Sequence, residues 1–168
     1  MKPIILTALL LSFTYSGLSG ATQKCGPDSL ANAPDSRYNM NADGTVTDNK
    51  TGLSWMRCAL GQSWDGAACT GSPQIYSWQK ALQVAENTDF ANQSDWRLPN
   101  KNELQSLVEY GCHHPSINLT AFPNATSHWF LSSSPYAHYS GSAWIIHFDV
   151  GTDANGSNKY AVRLVRGE

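Results

Sequence analysis

The chain has 168 residues, a net charge of −2 at pH 7 and only 14% charged residues, against 41% hydrophobic and 11% aromatic ones. That length suits a single domain with a sizeable core. The weakly acidic balance gives no overall attraction to nucleic acid or to an anionic membrane, which argues against both as partners.

The N-terminus reads as an export signal. Lys2 supplies a positive start, an apolar run follows from Ile4 to Phe13, and Ser19-Gly20-Ala21 offers the small residues a signal peptidase reads. The run is shorter than the roughly 20 residues that span a bilayer, so residues 1–21 are expected to be a cleaved signal peptide. No later stretch approaches that length, and no membrane insertion of the mature chain is expected. A secreted or periplasmic location follows. Four cysteines, Cys25, Cys58, Cys69 and Cys112, remain after cleavage. An even count in an oxidising compartment points to two disulfides, with three pairings open. Cys58–Cys69 is favoured because the short glycine-bearing loop between them folds back easily, and Cys25–Cys112 follows by elimination. No Cys-x-x-Cys supports a redox or metal role.

Residues 22–39 read as an irregular lead-in to a domain over residues 40–168. Asn39, Asn41, Asp43 and Gly44 imitate the start of an EF-hand, but Lys50 stands where a bidentate Glu is needed, so a turn into a hairpin is expected. The alternation of Gly44–Asp48 and Leu53–Met56 about the turn Asn49–Gly52 predicts that hairpin. Ser77 is placed as an N-cap before Trp78, Ala81, Leu82 and Ala85, whose spacing predicts a helix of about ten residues. Asp95-Trp96-Arg97-Leu98-Pro99 is extended, because the residue before proline avoids the helical region. Asn100 and Glu103 form a capping box for a second helix with Leu104, Leu107 and Val108 as its buried stripe and Gly111 at its end. Strands are predicted at 129–134 and 143–149, a polar loop at 151–158, and a closing strand at 160–166. This order is an α+β arrangement, an antiparallel sheet with two flanking helices and long loops.

Several blocks together resemble a known family: Asp43–Asp48, Thr51–Trp55, Arg57-Cys58, Gly61–Trp64, Asp95–Asn100 with Glu103-Leu104, Ile117-Asn118, Phe122-Pro123, Trp129, Ser132–Pro135, Ala143-Trp144 and Val162–Arg166. The chain is similar to the bacterial family named for the C-terminal domain of the Legionella collagen-like protein. The resemblance implies a C-type-lectin-like fold in which the terminal strands pair. The family's namesake is a surface adhesin whose C-terminal domain binds sulfated polysaccharides.

The candidate functional residues follow from what folding leaves unexplained. Asp95, Trp96, Arg97, Leu98, Pro99 and Glu103 are read as structural, with Trp96 and Leu98 in the core and Arg97 paired to a carboxylate. Of the six tryptophans, Trp55, Trp78, Trp96 and Trp144 are assigned to the core. Trp64 and Trp129 lie in or beside loops, where a ring can stack on a sugar. Trp64, Tyr136, His138 and Tyr139 are the candidate ligand contacts, since Tyr, Ser, Gly and Asn on loops give rigid aromatic surface and adaptable hydrogen bonds. Asp149, Asp153 and Asn155 bring together hard oxygen ligands of the kind that bind calcium. A solvated Asn/Gly turn is the favoured reading of them, so calcium is not favoured and no cofactor is expected. No Gly-x-Ser-x-Gly elbow and no His-Glu-x-x-His occurs, and no catalytic residue is assigned. The expected function is an exported, non-catalytic binding or adhesion module for a polysaccharide or cell-surface glycan. The alternative is an envelope protein-interaction or assembly subunit with no glycan ligand. Self-association is left open.

Overall fold

The computed structural model describes residues 22–27 and 31–167; the expected signal peptide lies outside them. The strands are β1 (Lys24–Cys25), β2 (Tyr38–Met40), β3 (Thr45–Asp48), β4 (Ser54–Met56), β5 (Ser63–Trp64), β6 (Cys69–Thr70), β7 (Ile75–Tyr76), β8 (Cys112–His113), β9 (Trp129–Pro135), β10 (Ala143–His147), β11 (Thr152–Gly156), β12 (Tyr160–Ala161) and β13 (Val165–Arg166). The helices are α1 (Trp78–Glu86) and α2 (Lys101–Gln105). A four-stranded sheet runs β13-β4-β3-β2 and a five-stranded sheet β11-β10-β9-β12-β7, with β1-β8 and β5-β6 as two-stranded ladders. Pairing is antiparallel except where β12 lies beside β9, so the class is α+β.

The predicted hairpin is β3–β4, with Val46 opposite Trp55 and both fully buried. Its turn is built by Asp48, whose carboxylate accepts from Lys50 N (3.0 Å) and Thr51 Oγ1 (2.9 Å) while Gly52 adopts φ +75°. The structure adds β2, in residues expected to be an irregular lead-in. Tyr38–Met40 pair with Asp48–Val46, and Arg37 grips the Asp48 carboxylate from inside. The rest of the lead-in is also tied down. Gln23 donates to Pro115 O and Ile117 O (2.7 and 2.8 Å), and the Glu109 carboxylate accepts from Asn32 N and Ala33 N (3.1 and 2.7 Å). Asp43 forms the expected turn, accepting from Thr45 N and Oγ1 (3.0 and 2.6 Å).

The five-stranded sheet is buried on both faces. Phe130 and Ile146 enter one apolar cluster with Trp55, Leu104 and Phe122, while their neighbours Leu131 and Ile145 enter a second with Trp96, Ala81 and Ala85, as the period of two along a strand requires. The two helices therefore serve opposite faces. Ser77 stands at the N-cap of α1, but its side chain makes no capping bond. Asn100 and Glu103 do form the reciprocal box on α2. That helix stops at Gln105, well before Gly111. Ser106 Oγ donates to Glu103 O (2.8 Å), and Val108 leaves the helix to bridge Ile117. Leu107 and Val108 are buried, though beyond the helix.

Three further expectations are corrected. The polar loop at 151–158 contains β11, an edge strand paired along β10 after a turn at Gly151 (φ +74°). The single closing strand is broken. β12 belongs to the five-stranded sheet and β13 to the four-stranded one, and residues 162–164 cross between them. Arg163, in that crossing, is 1% exposed. Its guanidinium donates to Met56 O (2.8 Å) and to Arg57 O, and lies 4.7 Å from the Phe122 ring centroid. Burial pushes it down to about 9, so it remains a cation at neutral pH. Trp55 and Trp96 are core, but Trp78 and Trp144 are only half-buried.

The disulfides are Cys25–Cys112, which ties β1 to β8, and Cys58–Cys69, which closes the loop bearing β5 and β6. In the chain-entropy model they contribute about 4–5 and about 2–3 kcal/mol respectively. Among the described residues no helix is long and apolar enough to cross a membrane.

Candidate functional site

The Asp95–Pro99 block positions the site without forming its surface. Trp96 and Leu98 are 2% and 3% exposed. Arg97 reaches the Glu103 carboxylate through both guanidinium nitrogens (2.8 and 2.8 Å) and also donates to Gly167 O (2.8 Å). That pairing, over the opposing effect of burial, holds the Glu103 carboxyl below its ordinary range. Asp95 pairs with Arg166 (2.7 Å). The chain leaving Pro99 is clamped to β9 by Ser133 N on Pro99 O (2.7 Å) and Lys101 N on Ser134 Oγ (2.9 Å). Lys101 is thereby fixed against the end of the five-stranded sheet.

There the β9–β10 loop, residues 136–142, builds an aromatic ledge. Tyr136 N donates to Ser142 O (2.9 Å) and Ser142 N to Tyr139 O (3.2 Å), which curls the loop on itself. Tyr139, 64% exposed, stacks on Tyr136 at 6.0 Å with ring planes 19° apart. Tyr136 meets Trp144 edge-on at 5.1 Å and His138 at 5.5 Å. Lys101 Nζ sits 3.6 Å from the Trp144 ring centroid and 2.7 Å from Asp153 Oδ2. Asn155 lies across the ladder from Trp144. The structure thus gathers Tyr136, His138, Tyr139 and Asn155 at one end of β9, β10 and β11, while Asp153, opposite Ile146 further along the ladder, is linked to them through Lys101.

Trp64 and Asp149 stand elsewhere. Asp149 follows β10, with its carboxylate 2.7 Å from His114 Nδ1. The bonds from His114 and Ser127 hold it below the ordinary carboxylate range. Trp129 lies against the His147 ring at 4.6 Å. Ser132 Oγ donates to Trp144 O (2.8 Å). No group of three or more metal-ligating His, Cys, Asp or Glu side chains occurs among the described residues. Trp64 is held at the turn between β2 and β3 by its indole N–H on Ala42 O (3.0 Å) and by the Arg57 guanidinium 4.3 Å from its ring. It borders a groove of about 440 Å³ with Asp43, Gln62, Asp89 and Phe90. Lys101, Trp144, Asp89 and Phe90 had no functional reading in the sequence. Trp144 looks like core in an apolar strand, and the other three become neighbours of these sites only through the fold.

No curated protein matches the chain. One family model does, that of the Lcl C-terminal domain, over residues 44–166. That span runs from the turn before β3 to β13 and includes the capping box, the five-stranded sheet, the four-stranded sheet apart from β2, and the aromatic ledge. The chain therefore belongs to the Lcl C-terminal domain family.

Proposed function

We propose that the chain is an exported, non-catalytic module of C-type-lectin-like fold that recognises a polysaccharide or cell-surface glycan through the aromatic ledge of the β9–β10 loop. Membership of the family suggests a binding or adhesion role, and two disulfides suit an oxidising compartment. The C-terminal strand β13 joins the sheet that β2, β3 and β4 form, and helices lie on opposite faces of the other sheet; both features are consistent with the lectin-like arrangement.

The ledge carries the reading. Tyr139 offers an exposed ring whose position is set by Tyr136 and Trp144 behind it. A sugar can lay its C–H face on that ring while His138 and Asn155 exchange hydrogen bonds with its hydroxyls. The contacts of Tyr136 with Tyr139 and Trp144 reduce the side-chain entropy that binding must remove. The reading invokes no calcium: Asp149 and Asp153 pair with His114 and Lys101. A glycan array probed with the oxidised protein, with and without calcium, tests the reading. It predicts retained polysaccharide probes and the same pattern in both conditions. An array without binders would overturn it, and co-purification of a stoichiometric protein partner instead would favour the assembly-subunit alternative.

A further inference from the structure

A second aromatic site lies at the turn between β2 and β3, and its charge differs from that of the ledge. Gly44 has φ +86°, and a Cβ there would come within 2.8 Å of Trp64 Cγ and 3.0 Å of Phe90 Cζ. The missing side chain lets both rings close over the turn. Each ring is fixed from behind: Trp64 by Ala42 O and Arg57, and Phe90 by its edge contact with Trp96 (6.0 Å) and its backbone bonds with Gln93 (3.0 Å). Both are half-buried, and both border the groove of about 440 Å³. That volume falls within the range of small-ligand sites.

Charge decides the kind of ligand. The groove is lined by Asp43 and Asp89, and no Lys, Arg or His lines it. Arg57, which packs on Trp64, is buried, with its donors on Ala121 O (2.9 Å) and Thr120 O (2.7 Å). Asp89 is exposed, and Asp43 uses only its Oδ1 in the turn. A sulfated or uronic unit would bring like charge against these carboxylates. An ammonium would gain from both carboxylates. The polar lining of Gln62 and Ser63 suits hydroxyl groups rather than a purely apolar guest.

We propose that this groove binds a sugar unit bearing a free amino group, a hexosamine, with its ring against Trp64 and Phe90 and its ammonium on the Asp43 and Asp89 carboxylates. The assignment rests on the reading of the domain as a glycan-binding module but not on the ledge. It is tested by titrating a fully deacetylated chitosan oligosaccharide, and separately its N-acetylated counterpart, into the isotope-labelled oxidised protein. Backbone chemical shifts are followed throughout. The deacetylated oligomer should move the amides of Gly61–Trp64, Asp89 and Phe90 and bind at least tenfold more tightly than the acetylated one. Asp89→Asn should lower its affinity about tenfold, because Asp89 supplies half of the negative charge, with the remaining spectrum unchanged. Equal affinity for the two oligomers, or indifference to Asp89→Asn, overturns the amine assignment while leaving glycan recognition standing. No shifts in the groove overturn the site itself. Equal displacement of the same amides by tetralysine overturns the sugar and leaves only a cation site.

Discussion

Arg37 and Asp48 show how one ion pair can fix a turn and a strand at once. The side chains are 6% and 0% exposed, and Arg37 also donates to Ser106 O (2.8 Å), joining β2, β3 and the end of α2. Burial pushes the Asp48 carboxyl up, but the bonds from Arg37, Thr51 and Lys50 outweigh it and hold the group below its ordinary range. The folded state therefore binds fewer protons at Asp48 than the unfolded state. The stabilisation is present above the unfolded carboxylate value of about 4 and is lost as pH falls through the folded one. Asp48→Asn should cost about 3–5 kcal/mol at neutral pH, because Arg37 is left buried and unpaired. Melting temperature followed from neutral to acid pH should fall less steeply in the variant; an unchanged acid limb would show that Asp48 does not govern it. Arg163 marks the limit of sequence reading at this scale. Its alternation with Val162 and Leu164 is genuine, but the chain leaves one sheet for another there. Local pattern does not reveal such a crossing.

At the scale of elements, local chemistry was legible and tertiary endings were not. The capping box of α2 is complete within four residues, Asn100 to Glu103. Trp96 and Leu98 sit two apart on an extended segment, and both are buried. Asn100→Ala should cost about 1 kcal/mol, and Trp96→Ala about 3–5 kcal/mol. Urea unfolding of the oxidised protein measures both, and a Trp96 variant as stable as the parent would place that ring outside the core. The end of α2 was not legible, because Val108 is drawn off by Ile117. β11 was missed for a different reason. It is an edge strand made of Thr, Asp, Ala, Asn and Gly, with no apolar alternation, and it is defined by its ladder to β10.

At the scale of the whole molecule, the fold sorts the candidate residues into separate surfaces. Tyr136, His138 and Tyr139 come from one loop, which is why a reading of the sequence could group them. Lys101, Trp144 and Asp153 join them from α2, β10 and β11. Trp64 belongs to another groove, opened by Gly44 and shared with Phe90. The ledge can therefore be removed without disturbing the core. Tyr139→Ala deletes a ring that is 64% exposed and should leave the melting temperature within a few degrees of the parent. The most direct test is the affinity of this variant for the strongest polysaccharide found on the array, measured by calorimetry beside its thermal unfolding. The account predicts at least a tenfold loss of affinity, about 1.4 kcal/mol, with stability retained. Affinity equal to that of the parent protein would contradict it and place glycan recognition on another face.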